Sequence, residues 1–140
     1  MKIYSVSPIY SQTQTFKAKK KLSPDAIADL AVFRHHIYEY HTGIRNLFLT
    51  TEKSMYKDVI KDRLQKDGIA YLIHDISDKK INVYFGAKQC VDVVKSFNNK
   101  QLSKLTPEQD FILGIMLGYD RVKECERYLK ILNGEIKLGV

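Results

Sequence analysis

Apolar positions recur along this chain with two different spacings. Between Ile69 and Phe85 they alternate with polar ones: Ile69, Tyr71 and Ile73 share one face of an extended segment, and Ile81, Val83 and Phe85 share one face of another. The short polar stretch Ser77-Asp78-Lys79-Lys80 separates them, so residues 69–76 and 81–85 are predicted to form a β-hairpin. Residues 44–50 (IRNLFLT) supply a third strand.

Elsewhere the spacing is helical. Tyr56, Ile60 and Leu64 recur at i, i+4, i+8 within residues 51–67, with Thr51 or Ser54 as the cap and Gly68 at the C-terminal end. Cys90, Val94 and Phe97 share a face of residues 87–97, and Val122, Cys125, Leu129 and Leu132 share one of residues 120–132, which Asn133-Gly134 ends. Ser23-Pro24-Asp25 starts an earlier helix, whose face carries Ile27, Leu30 and Phe33. That helix either runs on to His41 and stops at Gly43, or gives way to an extended segment over residues 36–40 (HIYEY); the pattern allows both. Thr106-Pro107-Glu108-Gln109 has the form of a capping box. The helix it opens is apolar on all sides, through Phe111, Ile112, Leu113, Ile115, Met116 and Leu117, and such a helix must be buried all round. Gly114 and Gly118 allow close packing or a kink.

The order after the first helix is β-α-β-β-α-α. It predicts an α+β fold: a three-stranded sheet with one hairpin, packed with about five helices, in a ferredoxin-like order lacking the last strand. So thin a sheet leaves an open edge and covers little apolar surface. A homodimer interface is therefore expected at Phe111, Ile112, Ile115, Met116 and Tyr119, together with the helix over residues 120–132.

Composition narrows the function classes. With 140 residues, 44% hydrophobic and 28% charged, the chain reads as one ordered domain that needs no disulfide to fold. Cys90 and Cys125 form no CxxC pair and have no zinc-ligand spacing, so they are expected to be buried free thiols, and no metal is expected. There is no GxGxxG or Walker sequence, hence no expected cofactor; Gly86-Ala87-Lys88 opens a helix straight after a strand, where anions can bind. The longest apolar run falls short of the ~20 residues that span a bilayer, and there is no secretory h-region. A cytoplasmic protein with no membrane partner is expected. The net charge is +7, but residues 1–22 hold five lysines and no acid, which leaves 18 basic and 16 acidic residues elsewhere, a net of +2. Residues 1–22 read as a flexible basic arm and residues 23–140 as the folded domain. A specific nucleic-acid surface is not expected, because the excess charge lies on the arm.

Four segments, HHIYEYHTGIRNLFLTT (35–51), GIAYLI (68–73), INVYFG with Cys90 following (81–90), and LTPEQDFILGIMLGYDRVKECERYL (105–129), resemble a small bacterial family, domain of unknown function 2023. The resemblance covers about residues 32–130. It implies three strands with about five helices, a homodimer, and, for some members, association with flavodoxins by gene neighbourhood or fusion. It supplies no activity and no catalytic residues.

The densest polar cluster is His35, His36, Glu39 and His41, followed by Arg45. It does not have the HExxH spacing of a zinc protease. Two uses are open to it: proton transfer or ligand binding, with Arg45 holding a carboxylate or phosphate, or hydrogen bonding near an interface, with Arg45 paired to Glu39 or Asp120. Asp120 suits the cap of the last helix, and Arg121 follows it. The leading expectation is a homodimeric interaction or regulatory domain, accessory to a flavodoxin-type electron carrier. The alternative is a small enzyme or ligand-binding domain using His35, His36, Glu39 and Arg45 with Asp120 or Arg121 across a dimer cleft.

Overall fold

Ala70–Asp75 and Lys80–Gly86, joined by a short connection, close antiparallel into the predicted hairpin. The computed structural model describes residues 22–99 and 101–138; nearly all of the basic arm lies outside them. The chain divides into two units, residues 1–31 and 32–140. In the first, Ser23 caps helix α1 (Pro24–Asp29): its Oγ accepts from Ala26 N at 3.1 Å. Helix α2 (Ala31–His41) follows after Leu30, so the HIYEY segment is helical and the helix begun at Pro24 is interrupted once.

In the second unit, strands β1 (Leu47–Lys53), β2 (Ala70–Asp75) and β3 (Lys80–Gly86) form one sheet in the order β1-β3-β2, every neighbour antiparallel. Strands β1 and β2 are therefore parallel to each other with β3 inserted between them, the split βαβ arrangement, and helix α3 (Lys57–Lys66) is the crossover. Helices α4 (Lys88–Ser96), α5 (Pro107–Met116) and α6 (Arg121–Leu132) complete the six α-helices among the described residues, with short 3₁₀ turns at Ser54–Tyr56 and Leu102–Lys104. The fold class is α+β.

The pleat sends alternate residues to opposite faces. Leu47, Leu49, Leu72 and Tyr84 meet Val91, Val94 and Phe97 of the α4 segment and Leu113 and Leu117 at α5. On the other face Phe48 and Phe85 stack at 5.3 Å, Phe33 of α2 meets Phe85 edge-on at 5.6 Å, and Gln65 of α3 donates to the Tyr71 hydroxyl at 2.9 Å. Ile60 and Leu64, predicted on the α3 face, are fully buried.

Three local expectations shift. Strand β1 starts at Leu47 rather than at residue 44, because the end of α2 takes the intervening residues: Gly43 has φ +79° and Ile44 N donates to Glu39 O at 3.1 Å. Thr51 belongs to β1, where it pairs with Asn82, so α3 begins later than predicted. Cys125 is exposed and Cys90 half-buried, against the expectation of buried thiols. The exposure of Cys125 has one cause: the apolar face of α6 points outward.

Capping follows the sequence closely. Thr106 Oγ1 accepts from Gln109 N at 3.1 Å, and Thr106 N donates to Gln109 Oε1 at 3.0 Å. Such a cap is worth about 1 kcal/mol.

Gly86 ends β3 at a point where no side chain fits. Its φ is +146°, and a Cβ there would overlap the carbonyl of Asn46. That carbonyl already accepts from Ala87 N at 2.8 Å, so it cannot withdraw without loss. Gly86→Ala is expected to lower unfolding free energy by on the order of 2 kcal/mol or more, read as a lower midpoint in urea at unchanged slope.

Candidate functional site

The turn that follows α2 delivers Arg45 to a junction of three elements. Its Nη2 donates to Glu39 Oε1 of α2 at 3.4 Å, and its Nη1 donates to the Leu117 carbonyl at the end of α5 at 3.2 Å. Its Cζ lies 4.4 Å from the centre of the Phe48 ring on β1. A cation at a helix C-terminus meets the carbonyls the helix leaves unpaired, and a guanidinium over a ring adds a cation–π contact. The stem of Arg45 runs beside Gly118, which ends α5 with φ +86°; a Cβ there would come within 3.1 Å of Arg45 Cδ.

The histidines flank this junction without closing round a common point. His35 is exposed, its Nε2 3.8 Å from Glu39 Oε1. The His36 ring lies 5.1 Å from that of Phe48. Burial first, and the Arg45 charge second, hold its pKa below the ordinary value. Its Nδ1 is buried with no hydrogen-bond partner. His41 turns to α3 instead: Nε2 is 3.1 Å from Asp67 Oδ2, to which Arg63 Nε also donates at 3.1 Å. Asp120 caps α6, its Oδ1 accepting from Lys123 N at 2.9 Å, and Arg121 is exposed. Arg45, Glu39 and His35 thus meet, His36 sits beside them on Phe48, and Asp120 and Arg121 stand at the head of α6.

A separate recess lies on the opposite face of the sheet. An open cleft of about 760 Å³ is bounded by β1 and β3, the 101–103 segment, and the hairpin of α5 and α6. Its apolar wall includes Leu49, Leu113 and Leu117, with Leu102 and Ile76. Its polar groups include Asn82, whose Oδ1 accepts from Thr51 Oγ1 at 2.7 Å. From α5 and α6 come Asp110, Glu124 and Arg127. Arg127 donates to Asp110 through Nε at 3.0 Å and Nη2 at 3.3 Å, a two-pronged pair. The carboxylate of Glu124 rests on Gly114, where a Cβ would coincide with it. No hydrogen-bond donor among the described residues reaches Glu124. Burial first, and the Asp110 charge second, push its pKa above the ordinary value, with Arg127 opposing.

None of His35, His36, Glu39, Arg45, Asp120 or Arg121 lines this cleft. Of the expected interface residues, Phe111 packs on Tyr128 at 5.4 Å and Met116 packs on the core, Ile115 is half-buried, and Ile112 and Tyr119 are exposed. Tyr119 also borders the cleft. The residues that sequence reasoning passed over are Asp110, Glu124 and Arg127. Their signal was present: Glu124 and Arg127 are three apart, on the side of α6 away from Val122 and Leu129. Among the described residues no group of His, Cys, Asp and Glu is placed to hold a metal, and no helix is long and apolar enough to cross a membrane.

Removing the Arg45 side chain should separate the end of α5 from α2. Arg45→Ala is expected to cost about 1–2 kcal/mol in chemical unfolding. Arg45→Lys should recover less than half of that, because one ammonium cannot reproduce the planar two-pronged reach.

None of the curated proteins matches the chain. The model of a family described as "Protein of unknown function (DUF2023)" matches residues 31–131, which takes in all three strands and every helix from α2 to α5 with nearly all of α6. The chain belongs to that family.

Proposed function

We propose that the chain is a homodimeric interaction domain whose two copies pair through the outer face of α6. One observation carries this reading. Val122, Leu129 and Leu132 are 69%, 56% and 52% exposed, Cys125 is exposed beside them, and α6 has no buried residue. The four positions follow the 3-4-3 spacing of a coiled-coil seam. An amphipathic helix ordinarily turns such a stripe inward, yet here the charged side faces α5 and the apolar side faces out.

The stripe is also self-complementary. In an antiparallel pair related by a two-fold axis, Val122 lies opposite Leu132 of the second copy, and Cys125 opposite Leu129. Ile112 and Tyr119, exposed at 40% and 54%, supply further apolar surface on and just after α5. An exposed apolar patch of this kind marks an interaction site.

The wild-type chain is expected to run as a dimer in size-exclusion chromatography with light scattering at micromolar concentration. Leu129→Glu should run as a monomer with an unchanged far-ultraviolet circular dichroism spectrum. A monomeric wild type would sink the reading.

The further partner we propose is a flavodoxin-type electron carrier. Support comes from the family resemblance and from the charge of the first 22 residues, five lysines and no acid. Flavodoxins are usually acidic, and a basic segment speeds encounter with an acidic partner. Capture of a flavodoxin by the full chain should weaken as salt rises and when residues 1–22 are deleted. Capture indifferent to both would remove that role.

A further inference from the structure

The cleft beneath α5 and α6 has an unbalanced charge. Asp110 and Arg127 satisfy each other through two hydrogen bonds, so of the three charged lining residues among those described, Glu124 alone makes no hydrogen bond, and Arg127, which also attracts it, is already held by Asp110. An anionic recess in low-dielectric walls concentrates cations locally.

Gly114 makes the arrangement geometrically specific. Glycine inside a helix costs about 1 kcal/mol relative to alanine. Here it opens the space that the Glu124 carboxylate fills against α5. A carboxylate drawn partly out of water with no donor is unfavourable unless something else supplies one. Beside polar Thr51, Asn82, Gln101 and Ser103, part of the wall suits an apolar body: Leu49, Leu113 and Leu117 line it, and Tyr119 borders it with a side chain whose ring type can attract an ammonium group.

We infer that the cleft binds a small organic ammonium, with Glu124 as its counter-ion and the three leucines against its hydrocarbon part. This site does not overlap the proposed dimer contact, since Val122, Cys125, Leu129 and Leu132 lie on the other side of α6 from Glu124 and Arg127.

The test is an amide-resolved NMR titration of the full chain with n-butylammonium and with n-butanol, its neutral counterpart. n-Butylammonium should give saturable shifts at Gly114, Tyr119 and Glu124, and n-butanol should bind far more weakly. Glu124→Gln should weaken n-butylammonium binding about tenfold while leaving n-butanol unchanged, the size of a lost hydrogen bond to a charged group. Gly114→Ala keeps the charge but displaces it, and should weaken n-butylammonium as well. A dispersed spectrum for each variant shows that it is folded. Nα-acetyl-lysine N-methylamide identifies the source: tighter binding than n-butylammonium assigns the ammonium to a lysyl side chain of another protein, and weaker binding assigns it to a free amine. Equal binding of n-butylammonium and n-butanol, or undiminished n-butylammonium binding by Glu124→Gln, would overturn the inference.

Discussion

Strand β3 is hydrogen-bonded along both edges and covered on both faces, so all of Ile81–Gly86 is withdrawn from water. Every other element of the second unit takes its place from that constraint. A strand buried twice over needs helices on each side, and only three strands are available to position them. α2 and α3 cover the Phe85 face, while α4 and α5 cover the Tyr84 face. Where β3 ends, Gly86 crosses the backbone of Asn46, and one residue earlier in that turn Arg45 reaches to Glu39 and to the end of α5. The two helical layers are thus tied together at a single corner of the sheet, by a close backbone approach and one guanidinium.

Much of this was legible in the residues. The hairpin, the capping box at Thr106 and the Ile60–Leu64 face of α3 follow from period and cap chemistry, which act locally. The start of β1 did not, because a helix C-cap at Gly43 and a strand start compete for the same three residues, and propensity alone ranks Ile44 as strand. The candidate site was only partly legible. His35, Glu39 and Arg45 do converge, but Arg45 spends its donors on the fold. The cleft was missed because its polar wall is the charged side of α6, a side that pattern reading assigns to solvent. The stripe of Val122, Cys125, Leu129 and Leu132 was found; its direction was not, since periodicity gives a face without saying which way it points.

α6 therefore has two occupied sides with different chemistry. Glu124 and Arg127 look to α5 and the sheet, and the apolar stripe looks away from the body. What holds the helix in place within one chain is mostly polar: the Asp110–Arg127 pair, the Tyr128 hydroxyl donating to Glu108 at 2.9 Å, and the Phe111–Tyr128 ring contact. Partly exposed ion pairs of this sort contribute little each.

A twelve-residue helix with no fully buried residue is marginal in water on its own. In the proposed dimer, pairing two chains buries the apolar stripe and adds to the contacts that already hold α6, to an extent governed by mass action. The amount of protein present would then set how firmly this folded helix is held. Because Glu124 and Arg127 ride on the same helix, dilution would loosen the wall of the cleft as well as the contact between copies.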